Sequence, residues 1–151
     1  MDEIGRTKLV VDVALFSEGK VVLVRYKDTK KYDGQEGWFL PDDYLRRLEH
    51  PEDGALRVAR EQAGIDLKTL DLRFIESFEG NGAWHLIFHF AGTLDAGAEV
   101  EPGTNTASAE WFELGKLPER GEVAHHGWAL DILAAMGRPA TELPHVRTVV
   151  E

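Results

Sequence analysis

Apolar and polar positions along the chain fall into a few distinct rhythms, and each predicts an element. KLVVDVALF, the turn SEG and KVVLVRY are two β-branched runs about a short glycine-containing turn, which predicts a hairpin from about Lys8 to Tyr26. KDTKKYDGQEG is polar with two glycines and reads as a loop long enough to border a pocket; it leads into the apolar segment WFLP, closed by Pro41. From His50 the period lengthens. Pro51 suits a first helical turn, Glu52 and Asp53 sit at the positive end of the helix dipole, and ALRVAREQA followed by Gly64 predicts a helix over about Glu52 to Ala63. Ala55, Leu56, Ala59 and Ala63 would form its buried stripe, with Arg57, Arg60 and Glu61 toward water or a cleft. LDLRFIESFE, GNG and AWHLIFHFAGTL predict a second hairpin, with Trp84, Leu86, Phe88 and Phe90 on one face and His85, Ile87 and His89 on the other. EWFEL then reads as a short strand, and a terminal helix runs over about Val123 to Met136, stopped by Gly137. The proline-broken tail holds HVRTVV, the pattern of an edge strand.

Hairpins argue for antiparallel pairs, and helices placed between strands argue for an α/β class, so the expected architecture is a mixed sheet packed between two main helices. At 151 residues the chain fits one domain, residues 1–137, with a C-terminal tail over 138–151. There is no internal repeat and no low-complexity segment.

Charge narrows the partners. The formal net charge of -10 repels nucleic-acid phosphates and anionic headgroups, so neither nucleic acid nor a membrane surface is expected as a partner. With no cysteine, any metal must be held by oxygen or imidazole ligands, which favours hard cations. The opening MDEIGRTK lacks an apolar leader and no run approaches a membrane span, from which a soluble, cytoplasmic protein is expected.

The stretch LPDDYLRRLEHPEDGALRVAREQAGI resembles the Nudix box, the loop-helix-loop signature Gx5Ex7REUxEExGU in which U is a bulky apolar residue. Glu49 falls on the first glutamate, Arg57 on the arginine, Glu61 on the first member of the EE pair, Gly64 on the glycine and Ile65 on the last apolar position. WFLP ahead of the box, EWFEL with LP after it, and the closing helix extend the resemblance over roughly Thr7 to Met136. It implies a Nudix-like α/β/α sandwich. It also implies metal-assisted hydrolysis, a pyrophosphatase activity in which Mg²⁺ or Mn²⁺ bridges helix carboxylates to a nucleoside diphosphate linked to another group.

The departures fall on the working face. Asp42 and Asp43 stand where the family has two glycines, Val58 replaces the glutamate of RE, and Gln62 replaces the second glutamate of EE. Positions 58, 61 and 62 are spaced i, i+3, i+4 and converge on one helix face, so three carboxylates become one. Gln62 keeps a carbonyl oxygen but neither charge nor basicity; Val58 keeps neither. Candidate metal ligands are therefore Glu61, Gln62 and, as substitutes on the loop, Asp42 and Asp43, with Glu61 also the candidate catalytic carboxylate. Acids further along, from Glu99 to Glu110, offer a displaced ligand, while Asn105 lies six residues before Trp111. Glu49 and Arg57, with Gly64 and Ile65, are expected to hold the box together as an ion pair and a helix stop.

Tyr32 and Trp38 are candidates for ligand stacking, with Lys30 and Lys31 nearby for phosphates; Phe39 and Trp84 read as core. His85 and His89, four residues apart on a strand at roughly 3.3 Å each, lie about 13 Å apart, too far to share an ion, and read as surface or pocket wall. His125 and His126 read as exposed or capping residues at a helix start. Two classes of function remain. One is a Nudix hydrolase acting on a nucleotide-type small molecule, weakened or altered by Val58 and Gln62. The other needs no metal and is a nucleotide or metabolite sensor, or a structural homodimer joined through an edge strand or the tail.

Overall fold

The computed structural model describes residues 6–139 and 146–150. Strands β1 (Arg6–Ser17) and β2 (Lys20–Tyr26) are joined through Glu18 and Gly19, both at positive φ, a turn whose twist suits a hairpin. They stay paired only at that end, through Phe16 with Val21 and Ser17 with Lys20. Beyond it the strands separate. The chain then makes a short 3₁₀ turn (Lys30–Tyr32), strand β3 (Asp42–Tyr44), helix α1 (Pro51–Ala63), the hairpin β4 (Asp71–Gly80) and β5 (Ala83–Thr93), strand β6 (Thr106–Glu113), helix α2 (Ala124–Met136) and strand β7 (Val146–Val150).

The sheet order is β6-β2-β1-β5-β4-β7, with β3 paired to β1 off that path. β1 is central and runs parallel to β5 from Arg6 opposite Ala83 to Phe16 opposite Thr93. β3 pairs antiparallel with the middle of β1, setting Asp42 directly opposite Asp12. The sheet is therefore mixed and lies between two helices, the expected class. β7 extends it in parallel beside β4, so the tail does carry an edge strand; residues 140–145 and 151 of that tail lie outside the described residues.

Alternation along β1 divides the core. Val11, Val13 and Leu15 pack with Ala55, Val58, Ala59 and Ala63 of α1, whereas Ala14 belongs to a second cluster with Leu40, Ala129, Ile132 and Met136 on the α2 side. α1 is entered through His50, whose imidazole accepts from the backbone N–H of Glu52, and ends at Gly64 in the left-handed region. Two expectations for α1 are corrected: Leu56 is only half-buried, and Arg57 points inward, 4% exposed. α2 differs too. His125, His126 and Gly127 all have positive φ, so regular helix starts at Trp128. No helix among the described residues is long and apolar enough to cross a membrane.

Candidate functional site

The loop from β3 to α1 is organised around one guanidinium. Arg57 Nε and Nη2 donate to the two carboxylate oxygens of Glu49 at 2.9 and 3.0 Å. Nη2 also donates to the Tyr44 carbonyl at 3.0 Å, and Nη1 donates to Glu61 at 3.0 Å and Asp43 at 3.2 Å. All five N–H donors of the side chain are used, which explains how a cation can lie buried. The Arg57 hydrogen bonds pull the Glu49 carboxyl down to about 2 despite partial desolvation. Glu49 in turn accepts from the backbone N–H of Arg46, closing the loop onto the helix. Asp43 is fully engaged, accepting also from Lys31 Nζ and the backbone of Tyr44, both at 2.8 Å.

Beside this cluster lies the face that carries the family's carboxylates. Val58 is fully buried in the core and offers no donor atom. Glu61 is half-exposed and held between Arg57 and Arg46. Gln62 is buried, and its orientation is set by three groups. Its Oε1 accepts from the Tyr26 hydroxyl at 2.7 Å, while Nε2 donates to the backbone carbonyl of Asp42 at 2.7 Å and to Tyr32 Oη at 3.4 Å. The Tyr32 hydroxyl donates to the same Asp42 carbonyl at 3.1 Å. The loop carbonyl is thus turned toward amide and hydroxyl hydrogens rather than left open to a cation. This donor set does not fit Mg²⁺ or Mn²⁺: one position is apolar, one presents N–H, and the single carboxylate is already paired. No cluster of three metal-ligating side chains occurs among the described residues. Glu99, Glu101 and Glu110 are exposed, and Asn105 is spent on Asp28, accepting from its N–H and donating to its carbonyl. The following loop seals the end of α1, because a Cβ on Gly103 would lie 1.7 Å from the Glu61 carbonyl oxygen.

The stacking residues require correction. Tyr32 is buried with its ring parallel to Tyr26 at 3.8 Å, and Trp38 is buried with Arg25 over its face and Phe112 at its edge, so these rings are already covered. Lys31 is paired with Asp43, while Lys30 faces solvent. A cleft of about 310 Å³ lies instead beside Tyr26, lined by Arg25, Lys27, Thr29 and Glu36. Trp84, expected in the core, is 50% exposed and donates to Ser77; Phe39 is buried as expected.

The two histidines of β5, expected at the surface or in a pocket wall, are buried, His89 completely. His89 Nδ1 lies 2.7 Å from Asp12, and Nε2 lies 2.6 Å from Glu76, which also accepts from Trp128 Nε1 at 3.2 Å. Burial alone would lower the imidazole pKa, but the two carboxylates outweigh it and hold the group up at about 9. Burial pushes Asp12 up, against the pull of His89. The local sequence held a signal for this network: Asp12 is the one carboxylate inside LVVDVALF, and a charge there needs a buried partner. Asp42, also buried, is pushed well up by desolvation and by the neighbouring Asp12 and Asp43. His125 is partly buried and lowered by desolvation; His126 is exposed, and both occupy the left-handed segment before α2.

A mixed sheet between two helices, with an arginine-pinned loop leading into α1, defines a class, and the comparisons agree. The NUDIX domain profile matches residues 6–131, and the chain belongs to that family. No curated protein matches the chain. Among solved structures it is similar to a NUDIX hydrolase from Nitrosomonas europaea, 20% identical over 97% of this chain and 79% of that one, TM-score 0.66. A MutT NUDIX hydrolase from Burkholderia pseudomallei is 21% identical over 83% and 97%, TM-score 0.68. The NUDIX domain of Shewanella oneidensis NrtR, solved with ADP ribose, is 16% identical over 72% and 74%, TM-score 0.61. At these identities the likeness concerns the fold.

Proposed function

We propose that this chain is a Nudix domain that binds a nucleotide-type ligand without the family's metal-assisted hydrolysis of a nucleoside diphosphate linked to another group. The observation that carries this reading is the hydrogen bond from the Gln62 amide to the Asp42 carbonyl, flanked by Val58 in the core. An N–H donor occupies the direction in which a cation would need an oxygen, and an amide neither neutralises phosphate charge nor lowers the pKa of a bound water. The cleft beside Tyr26 offers a place for the ligand: its volume is in the range of small-molecule sites, and Arg25 and Lys27 supply cations for phosphate oxygens in an otherwise acidic protein. The relative solved with ADP ribose makes that compound the first ligand to try.

Weakened hydrolysis is the second reading, favoured by Glu61, which keeps its register position and stays half-exposed. One experiment separates the two. ADP-ribose, nucleoside diphosphate sugars and dinucleoside polyphosphates are incubated with the protein in Mg²⁺ or Mn²⁺, alongside Glu61→Gln, and thermal stability is measured with the same compounds in EDTA. Ligand-dependent stabilisation without turnover is the expected result. Metal-dependent turnover abolished by Glu61→Gln would overturn the proposal in favour of the hydrolase.

A further inference from the structure

The cleft beside Tyr26 opens where β2 meets β6, and the ladder there is irregular. Arg25 faces Ser108 and Tyr26 faces Thr106, so Ala107 is left as the extra residue of a β-bulge, and it lines the opening. Arg25 and Lys27 line it too, two residues apart on the same side of the chain and so roughly 7 Å from one another along the strand direction. Arg25 sits over the face of Trp38, 4.4 Å from the ring centroid, which holds the guanidinium in place. Among the described residues neither cation takes part in a salt bridge, although the chain carries 27 acidic residues against 17 Lys and Arg. Their N–H donors remain open to an incoming anion.

Size, charge and ring exposure together select the part of a nucleotide that enters. At about 310 Å³ the cleft stands at the lower end of the range for small-molecule sites and does not enclose a whole nucleoside diphosphate conjugate. Stacking a base needs a free aromatic face, yet the Tyr26 ring is stacked on Tyr32 and Trp38 is covered by Arg25 and Phe112. Two cations at this spacing suit two adjacent phosphates, and Thr29 adds a hydroxyl donor. Glu36 is the one carboxylate of the lining; it repels phosphate but accepts from hydroxyls, which suits a sugar.

Building on the nucleotide reading above, we infer that the cleft recognises its ligand by the pyrophosphate and an adjoining sugar hydroxyl and leaves the base in solvent, so that the domain binds nucleoside diphosphates without distinguishing among bases. Arg25 and Lys27 hold the phosphates, Thr29 donates to one of their oxygens, and Glu36 accepts from the sugar. Neutralisation comes from the protein's own cations, as a domain with so few metal ligands on its α1 face requires.

The test is calorimetric titration in EDTA of wild type, Arg25→Gln, Lys27→Gln and Lys20→Gln, the last a charge control at the far end of β2. The titrants are ADP, GDP, UDP and CDP, with adenosine and inorganic pyrophosphate alongside. The four diphosphates are expected to bind within about threefold of one another, pyrophosphate to displace them, and adenosine not to bind. Arg25→Gln and Lys27→Gln should each weaken ADP binding by about tenfold or more, the loss of a charge-assisted hydrogen bond, and Lys20→Gln should leave it unchanged. A preference of more than about tenfold for one base, adenosine binding as tightly as ADP, or failure of pyrophosphate to compete would overturn the inference and leave the nucleotide reading standing. An equal loss in Lys20→Gln would also overturn it, as attraction by overall charge alone. Absence of binding by every nucleotide would overturn both. The wild-type titrations decide the matter even if a variant fails to fold.

Discussion

Replacing Arg57 with methionine removes a cation while keeping most of the side-chain volume. In the native structure the guanidinium makes two bonds to Glu49, one each to Asp43 and Glu61, and one to the Tyr44 carbonyl. Glu61 is half-exposed and regains water, so its contact contributes little. Glu49 and Asp43 are 14% and 15% exposed at their side chains and would be left as poorly hydrated charges facing one another across the loop. Breaking a buried pair by removing one partner costs about 3–5 kcal/mol, and the value here should lie toward the lower end because Lys31 still serves Asp43. At roughly 2–4 °C per kcal/mol for a chain of this size, Tm should fall by about 6–15 °C. Urea unfolding at pH 7 measures the loss. The pH dependence supplies the check on cause. Glu49 is lowered from 4.5 to about 2 by Arg57, so its contribution is present above pH 4.5 and is lost as pH falls toward 2. Arg57→Met should flatten that acid limb. A loss below about 1 kcal/mol, or an unchanged acid limb, would refute the argument that this guanidinium holds the loop.

The remaining predictions concern other parts of the fold. His89 is raised from 6.5 to about 9, so its stabilisation is complete below pH 6.5 and is lost as pH rises through 9; in His89→Gln that alkaline limb should vanish, with about 3–5 kcal/mol lost at pH 6, both read by urea titration. Gln62→Glu sets a carboxylate against the Asp42 carbonyl in place of an N–H, and should lower stability in EDTA by about 1–3 kcal/mol and be partly restored by Mn²⁺, while wild type shows no Mn²⁺ response in calorimetry. Leu48 has a φ of 66° and is 90% exposed, so Leu48→Gly relieves left-handed strain without losing packing and should raise stability by about 0.5–1 kcal/mol in thermal melts.

Local periodicity carried α1, both hairpin turns and the late strand, because these depend on neighbours in sequence. The Glu49–Arg57 pairing was foreseen through the resemblance, but the burial of Arg57 was not, since a charge on a helix reads as solvated until its four partner residues are seen to come from a loop, a strand and its own helix. His89 was misplaced for a similar reason: its carboxylate partners lie 77 and 13 residues away, on different strands. The positions of Val58 and Gln62 could be read as substitutions, yet the hydrogen bonds that fix Gln62 could not, because Tyr26 and Tyr32 reach it from segments 36 and 30 residues distant. Nor could the run of left-handed residues before Trp128, where AHHGW carries no apolar rhythm to break.

The parallel pairing of β1 with β5 has a consequence for how this chain reaches its native state. The longest partner of the first strand is more than seventy residues downstream, so β1 cannot complete its ladder until the β4–β5 hairpin exists. Local hairpins close in microseconds, whereas a join across that loop bears the entropy of closing it. Insertion of β1 beside β5 should therefore be a late, slow event, and until then two long hydrophobic strand edges stay open to intermolecular pairing. Refolding yield should fall with protein concentration, with the order of assembly rather than the final stability setting that loss.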